Sequence, residues 1–414
     1  MATRGPLEKT AAPADPDLIG WLDTGLADPP AFQASDLQAL LLWATDHDVS
    51  DVTIQAGNFI FVERFGRLAP VTRRRLSAAE TYRCAQTLYG DNAPSQLAGG
   101  QDIDCSHEIR RGRHDLARYR VNMTSARAPR ERGLEITIRP IPTTPPPLEA
   151  LALPPRLRAN LIFEQGLVLI TGPTGSGKTT LLGGVIRHLL EQPASHRKIL
   201  TYEAPIEFVY DFVRRSHALI AQHEIGVHLP SFAAGVRNSL RRKPMVILVG
   251  EARDAETIAA MTEAAMTGHL VYATCHTNSV PETLRRLVAV FPAEERDGRL
   301  SDLLEALRCV VTQRLVRTTD GRRAAVREYL AFTQSMKDAI LAQPSTQVVA
   351  ATRRCVREHG RPLTLDLEAL RRAGRLDEAE YRAFREVGTQ RIDPSSGVAA
   401  FPEANPEEDD ADGP

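Results

Sequence analysis

The stretch Gly172-Pro-Thr-Gly-Ser-Gly-Lys178-Thr179 decides how this chain is read, because it fits the phosphate-binding pattern G-x-x-x-x-G-K-[ST] at every required position. Leu167-Val-Leu-Ile170 ahead of it is a short apolar run of the kind found in buried parallel strands. Behind it Leu181, Leu182, Val185, Ile186, Leu189 and Leu190 recur at helical spacing. The stretch therefore joins a strand to a helix, so that backbone N–H groups and a helix N-terminus converge on an anion. Gly172, Gly175 and Gly177 permit the tight turn and the close approach of a phosphate. The candidate binding loop comprises Gly172, Pro173, Thr174, Gly175, Ser176, Gly177, Lys178, Thr179 and Thr180. In it Lys178 is expected to reach the β- and γ-phosphates and the Thr179 hydroxyl to bind Mg²⁺. The expected ligand is a nucleoside triphosphate with Mg²⁺.

Composition sets the frame around this loop. At 414 residues the chain has room for two domains and a tail. A net charge of −1 gives no global reason to expect nucleic acid. Among the 51 basic residues the lysines are only 9, 178, 198, 243 and 337, which makes Lys178 stand out further. Cys84, Cys105, Cys275, Cys309 and Cys355 are scattered, odd in number and free of any C-x-x-C pair, which argues for reduced thiols and against a structural zinc or a disulfide framework. The first 20 residues hold no apolar core of a signal peptide, and no run approaches the roughly 20 apolar residues that cross a bilayer. A cytosolic protein is expected, working from the cytosolic side of any membrane it serves.

Along the chain, residues 1–34 mix Pro, Ala and Asp without periodicity and read as a flexible leader. Residues 35–142 carry a mixed pattern, with a helix at Leu37, Leu40, Leu41 and Trp43 and strands at Val52-Thr-Ile, Phe59-Ile-Phe-Val and Tyr119-Arg-Val. Thr143-Thr-Pro-Pro-Pro147 is stiff and non-helical, which makes 143–150 a linker. From 151 to about 332 apolar strands alternate with helical segments, the pattern of a parallel sheet covered on both faces, and charged helices follow to 390. Residues 391–414 form an acidic tail, expected to be disordered.

Three further constellations bear chemistry. Met245-Val-Ile-Leu-Val249 is a second buried-strand run, followed at once by Gly250-Glu251, and a carboxylate at that strand end suits Mg²⁺. Ile199-Leu-Thr-Tyr-Glu203 likewise ends in a carboxylate, ahead of Ala204-Pro205, and makes Glu203 a candidate general base with Glu207 as the alternative. Thr267-Gly-His269-Leu-Val-Tyr-Ala-Thr274-Cys-His276-Thr-Asn278 sets an apolar strand between two histidines, so His269 and His276 are candidate γ-phosphate sensors. No spacing here resembles a zinc site.

Taken in order, these stretches resemble the Walker A, Asp box, Walker B and His box of the secretion ATPase superfamily of type II secretion, type IV pili and type IV secretion. The likeness spans roughly residues 36–345 and includes Asp51-Val-Thr-Ile-Gln-Ala-Gly, Arg118-Tyr-Arg120-Val-Asn122 and Thr312-Gln-Arg-Leu315. It implies an α/β fold, a RecA-like P-loop NTPase domain preceded by a smaller PAS-like domain, with the protomers in a homohexameric ring. It also implies a catalytic glutamate at Glu203 and charge-neutralising arginines in the N-terminal domain. Arg118, Arg120, Arg132 and Arg139 match, and Arg120 and Arg132 are the first choices. The four-cysteine zinc element of the type II and pilus-extension branches is missing. Tyr202-Glu-Ala-Pro-Ile-Glu-Phe-Val-Tyr-Asp211 and Arg241-Arg-Lys-Pro resemble instead the DotB/TraJ-type ATPases of type IVB secretion and conjugative transfer.

The expected protein is thus an ATPase powering such a machine, recruited to the inner membrane through secretion or transfer components, with no sequence-specific nucleic-acid binding of its own. The rivals are a pilus-retraction motor, a nucleotide-gated adaptor with little turnover, and a nucleic-acid motor. Neutral charge and the lack of an aromatic-lined basic groove weigh against the last.

Overall fold

A computed structural model describes residues 29–388 apart from 65, 66, 114 and 129–131; most of the expected leader and all of the expected acidic tail lie outside the described residues. The chain builds two sheets. The first unit contains α1 (Ala34–Asp46), β1 (Asp51–Gln55), β2 (Phe61–Arg64), β3 (Arg67–Pro70), α2 (Ala78–Tyr89), α3 (Ala93–Ala98), β4 (Ile103–Arg110), β5 (Leu116–Arg127) and β6 (Arg132–Ile141). Its strands pair antiparallel in the order β3-β2-β1-β6-β5-β4. Alternation explains the layering. Val52 and Ile54 of β1 and Leu134, Ile136 and Ile138 of β6 are buried in one core with Leu37, Leu40 and Leu41, which recur on one face of α1. Helix α2 starts on a capping box in which Ser77 and Glu80 exchange hydrogen bonds. Arg74, from the basic triplet 73–75, pairs with Glu80 at 2.7 Å.

The second unit contains α4 (Pro155–Ala159), β7 (Gly166–Thr171), α5 (Lys178–Glu191), β8 (Lys198–Glu203), β9 (Leu219–Glu224), α6 (Phe232–Ser239), β10 (Val246–Val249), α7 (Ala255–Met266), β11 (Leu270–Cys275), α8 (Val280–Ala289) and α9 (Arg296–Ala306). It closes with β12 (Leu307–Arg317), β13 (Arg323–Ala331), α10 (Gln334–Leu341), α11 (Val348–His359), α12 (Leu363–Arg372) and α13 (Glu378–Gly388). The strand order is β13-β12-β7-β11-β10-β8-β9. Every residue of β7, β10 and β11 is buried, which is why these strands read as unbroken apolar runs. Leu167 and Leu169 belong to the core on one face, Val168 and Ile170 to the core on the other.

The sheet departs from the all-parallel expectation. The β12–β13 hairpin is antiparallel and adds an edge beside the parallel core. A short connection can only return the chain antiparallel, and residues 318–322 are such a connection.

Candidate functional site

Parallel pairing brings the C-terminal ends of several strands to one edge. Thr171 of β7 lies beside Cys275 of β11, Ala273 beside Val249 of β10, and Val249 beside Tyr202 of β8. The loop 172–177, Glu203, Glu251 and His276 all follow those ends, so the register alone assembles them. They face a cavity of about 280 Å³ whose walls include Thr174, Gly175, Lys178, Thr179, Glu203, Glu207, Glu251, Thr274 and His276. Arg120, on β5 of the first unit, lines the same cavity.

The loop has a tight fit behind it. Gly172 has φ 143°, and a Cβ there would lie 2.2 Å from the carbonyl oxygen of Gln313. Gly177, at φ 80°, caps α5 in the left-handed region, where a Cβ would stand 2.9 Å from Gln313 Nε2. Gln313 grips the loop by donating to Ser176 O at 2.7 Å, and its Oε1 accepts from Arg327 Nε at 2.8 Å. Gln313 comes to the loop because β12 pairs with β7, a contact that no local pattern around residue 313 signals.

Lys178 donates from Nζ to Gly172 O and Pro173 O, both at 2.9 Å. Burial lowers its pKa, and the charge of Glu251 works in the opposite sense. Glu203 is buried; burial raises its pKa from 4.5 to about 7, against hydrogen bonds from Thr201 Oγ1 (2.6 Å) and Gln222 Nε2 (3.2 Å) that favour the ionised form. A carboxylate with that pKa can take up and release a proton near neutrality. Glu251 is half-buried, with His276 Nε2 at 3.6 Å and Arg253 Nη1 at 3.9 Å. Burial and the Lys178 charge lower the pKa of His276. Burial pushes the Cys275 thiol up to about 12, which removes it as a nucleophile.

The other candidates are placed elsewhere. His269 precedes β11, whereas Thr274 and His276 lie at its far end, about 20 Å away at roughly 3.3 Å per residue. There its Nδ1 contacts Ala264 O at 3.0 Å. Two residues that bracket a buried strand stand on opposite edges of the sheet, so His269 is not brought to the cavity. Arg132 donates to Ala98 O at 2.7 Å and lies exposed, and Arg139 pairs with Asp51 at 2.9 Å. Of the four arginines, Arg120 reaches the cavity, holding Asp104 at 2.7 Å with Glu207 at 3.8 Å. Arg118 is buried and donates to Ile206 O (2.7 Å) and Glu207 O (2.6 Å) across the two units. Among the described residues no group of His, Cys, Asp and Glu is arranged to hold a metal by itself, and no helix is long and apolar enough to cross a membrane.

The chain is similar to known proteins along most of its length. A family model described as "Type II/IV secretion system protein" matches residues 110–394. The X-ray structure of the Legionella pneumophila ATPase DotB superposes with a TM-score of 0.81 and 46% identity, covering 87% of this chain and 98% of that one. The twitching motility protein of Neisseria gonorrhoeae is 37% identical over 284 residues, 68% of this chain and 72% of the relative. The type IV pilus retractation ATPase PilT of Pseudomonas aeruginosa is 33% identical over 316 residues, 76% and 88%.

Proposed function

The chain belongs to the type II/IV secretion system protein family, and from that premise we propose that it is an ATP-hydrolysing hexameric motor of a type IVB secretion or conjugative-transfer system, working at the cytosolic face of the inner membrane. The observation that carries the reading is the single cavity holding Lys178, Thr179, Glu203, Glu251 and His276, with Arg120 supplied by the first unit. The DotB likeness along nearly the whole of both chains favours this system.

In this reading the backbone N–H groups of 174–179 and the Lys178 ammonium bind the β- and γ-phosphates. Thr179 and Glu251 suit Mg²⁺: both line the cavity, and the charged neighbours of Glu251 stand off at 3.6 and 3.9 Å, leaving its oxygens available. Bound there, the ion would neutralise charge between the β- and γ-phosphates. Glu203 accepts the proton of the attacking water, and its raised pKa matches that work near neutral pH. Arg120 neutralises charge developing on the γ-phosphate, and neutral His276 reads that phosphate from the end of β11. Arg132, exposed at the start of β6, has its role across a subunit boundary. Behind the loop, Gly177 and Thr180 open onto a second cavity of about 520 Å³, lined also by Leu151, Leu315, Arg323 and Arg375. It takes the nucleoside, since the loop places the α-phosphate at its helical end. The second unit is the RecA-like engine, with 143–150 as linker, and the first is its PAS-like partner domain.

Purified protein should show Mg²⁺-dependent ATP hydrolysis, and Glu203→Gln should keep nucleotide while losing turnover. Absence of hydrolysis with intact nucleotide binding would favour an adaptor. The PilT relative supports pilus retraction as the second reading. A Glu203→Gln ring trapped with ATP separates the two by the membrane proteins that co-purify with it.

A further inference from the structure

Glu224 ends β9, buried and in register with Glu203 of β8. Its carboxylate is shared between the two units. Oε1 and Oε2 accept from Ser106 N (3.3 Å) and Ser106 Oγ (2.8 Å) on β4, and Oε2 also accepts from Ile206 N (3.1 Å), three residues beyond Glu203. Among the described residues no lysine or arginine pairs with it within 4.0 Å. A buried side chain that takes its hydrogen bonds from both units asks for a reason beyond satisfying its own oxygens.

The surroundings supply one. The segment after Glu203 is gripped at Ile206 N by Glu224 and at Ile206 O and Glu207 O by Arg118 of the first unit. Two residues back along β9, Gln222 bonds Glu203 Oε1 and Phe208 O from Nε2 and accepts from Tyr210 N at 3.3 Å. Ser106 lies directly across from Arg120 in the β4–β5 register. One carboxylate is therefore joined to the strand pair that carries the cavity's arginine and to the segment that continues from the cavity's buried acid.

We propose that Glu224 is a positioning residue for hydrolysis, the point through which the placement of the first unit sets Glu203 and Arg120 relative to each other. This rests on the reading of Glu203 as the base. When the first unit moves, the Ser106–Glu224 bonds transmit the shift to 206–207, and Gln222 passes it to Glu203. A misplacement of about 1 Å at a reacting group lowers turnover by up to about 100-fold, so a small displacement is enough to switch the site.

The test uses full-length Ser106→Ala, which deletes one bond from the other unit and leaves the cavity residues untouched. Ser106→Thr restores the hydroxyl, and Glu224→Gln is the direct variant. Nucleotide affinity, kcat and amide exchange of the peptide covering 204–210 are measured on each. Ser106→Ala should keep nucleotide affinity within about two-fold, lower kcat about ten-fold and speed exchange in 204–210; Ser106→Thr should recover both. Faster exchange with unchanged kcat makes Glu224 merely structural and overturns the proposal, as does a variant that changes neither. If unaltered protein hydrolyses no ATP, the reading of Glu203 falls. The exchange data then still decide the mechanical link, which fails if Ser106→Ala leaves 204–210 unaffected.

Discussion

Glu203→Gln should remove turnover and, above neutral pH, make the protein more stable. Burial raises the Glu203 pKa from 4.5 to about 7, so folding favours the protonated form. Stability from this group is fully present below the unfolded value of 4.5 and is lost as pH rises through about 7. Relative to a neutral side chain Glu203 therefore costs about 3 kcal/mol at pH 8, where it is ionised in the fold, and about 1 kcal/mol at pH 5, where folding takes up a proton. A neutral glutamine of the same shape escapes that penalty and can still accept from Thr201 and Gln222. For a unit of roughly 150–250 residues, 1 kcal/mol moves the melting temperature by roughly 2–4 °C. The variant should melt roughly 6–12 °C higher than the unaltered protein at pH 8, and only a few degrees higher at pH 5, both without nucleotide. Differential scanning fluorimetry in matched buffers reads this directly. Equal shifts at both pH values, or a loss at pH 8, would refute the claim that Glu203 is a desolvated carboxyl held ready for ionisation.

Turnover of unaltered protein should rise with pH through about 7, because the base works ionised. Thr201→Val deletes a bond that favours the ionised form and should move that inflection upward by about one pH unit, read from a kcat profile. Lys178→Ala should weaken ATP binding at least about ten-fold by equilibrium titration, since an ammonium–phosphate contact exceeds about 1.4 kcal/mol. Gln313→Ala removes the partner of Arg327 Nε inside the fold and frees Ser176 O, so it should destabilise the protein by about 2–4 kcal/mol in denaturant titration and weaken nucleotide binding. Arg120→Ala should lower kcat with little change in nucleotide affinity; an unchanged kcat in the assembled protein would remove Arg120 from the site.

What could be read from the chain followed the range of the interactions concerned. The loop at 172–179 was legible because its geometry is local: a buried run, glycines at the turn and a helix with its own apolar face. Glu203 and Glu251 were legible because each ends a buried run, and strand ends in a parallel sheet share an edge. The antiparallel β12–β13 edge and the grip of Gln313 on the loop were not, since both depend on β12 lying beside β7, a pairing of residues about 140 apart in the chain. His269 shows the complementary case. Proximity along the chain to a site strand suggested a site role, yet six extended residues carry the chain across the whole sheet.

The arginines mark a different limit. Arg118 and Arg120 are two apart on β5, yet one is buried against the backbone of the second unit while the other lines the cavity. No local pattern separates them, because their roles are set by where the second unit packs. That packing includes the Ser106–Glu224 bond, made by residues whose types in this sequence announce nothing. The proposed motor would use contacts of this kind, distant in sequence, because a contact that two units share can be made and broken without unfolding either. The residues of the cavity lie where the sheet's own register puts them, and the control proposed for them lies at the seam.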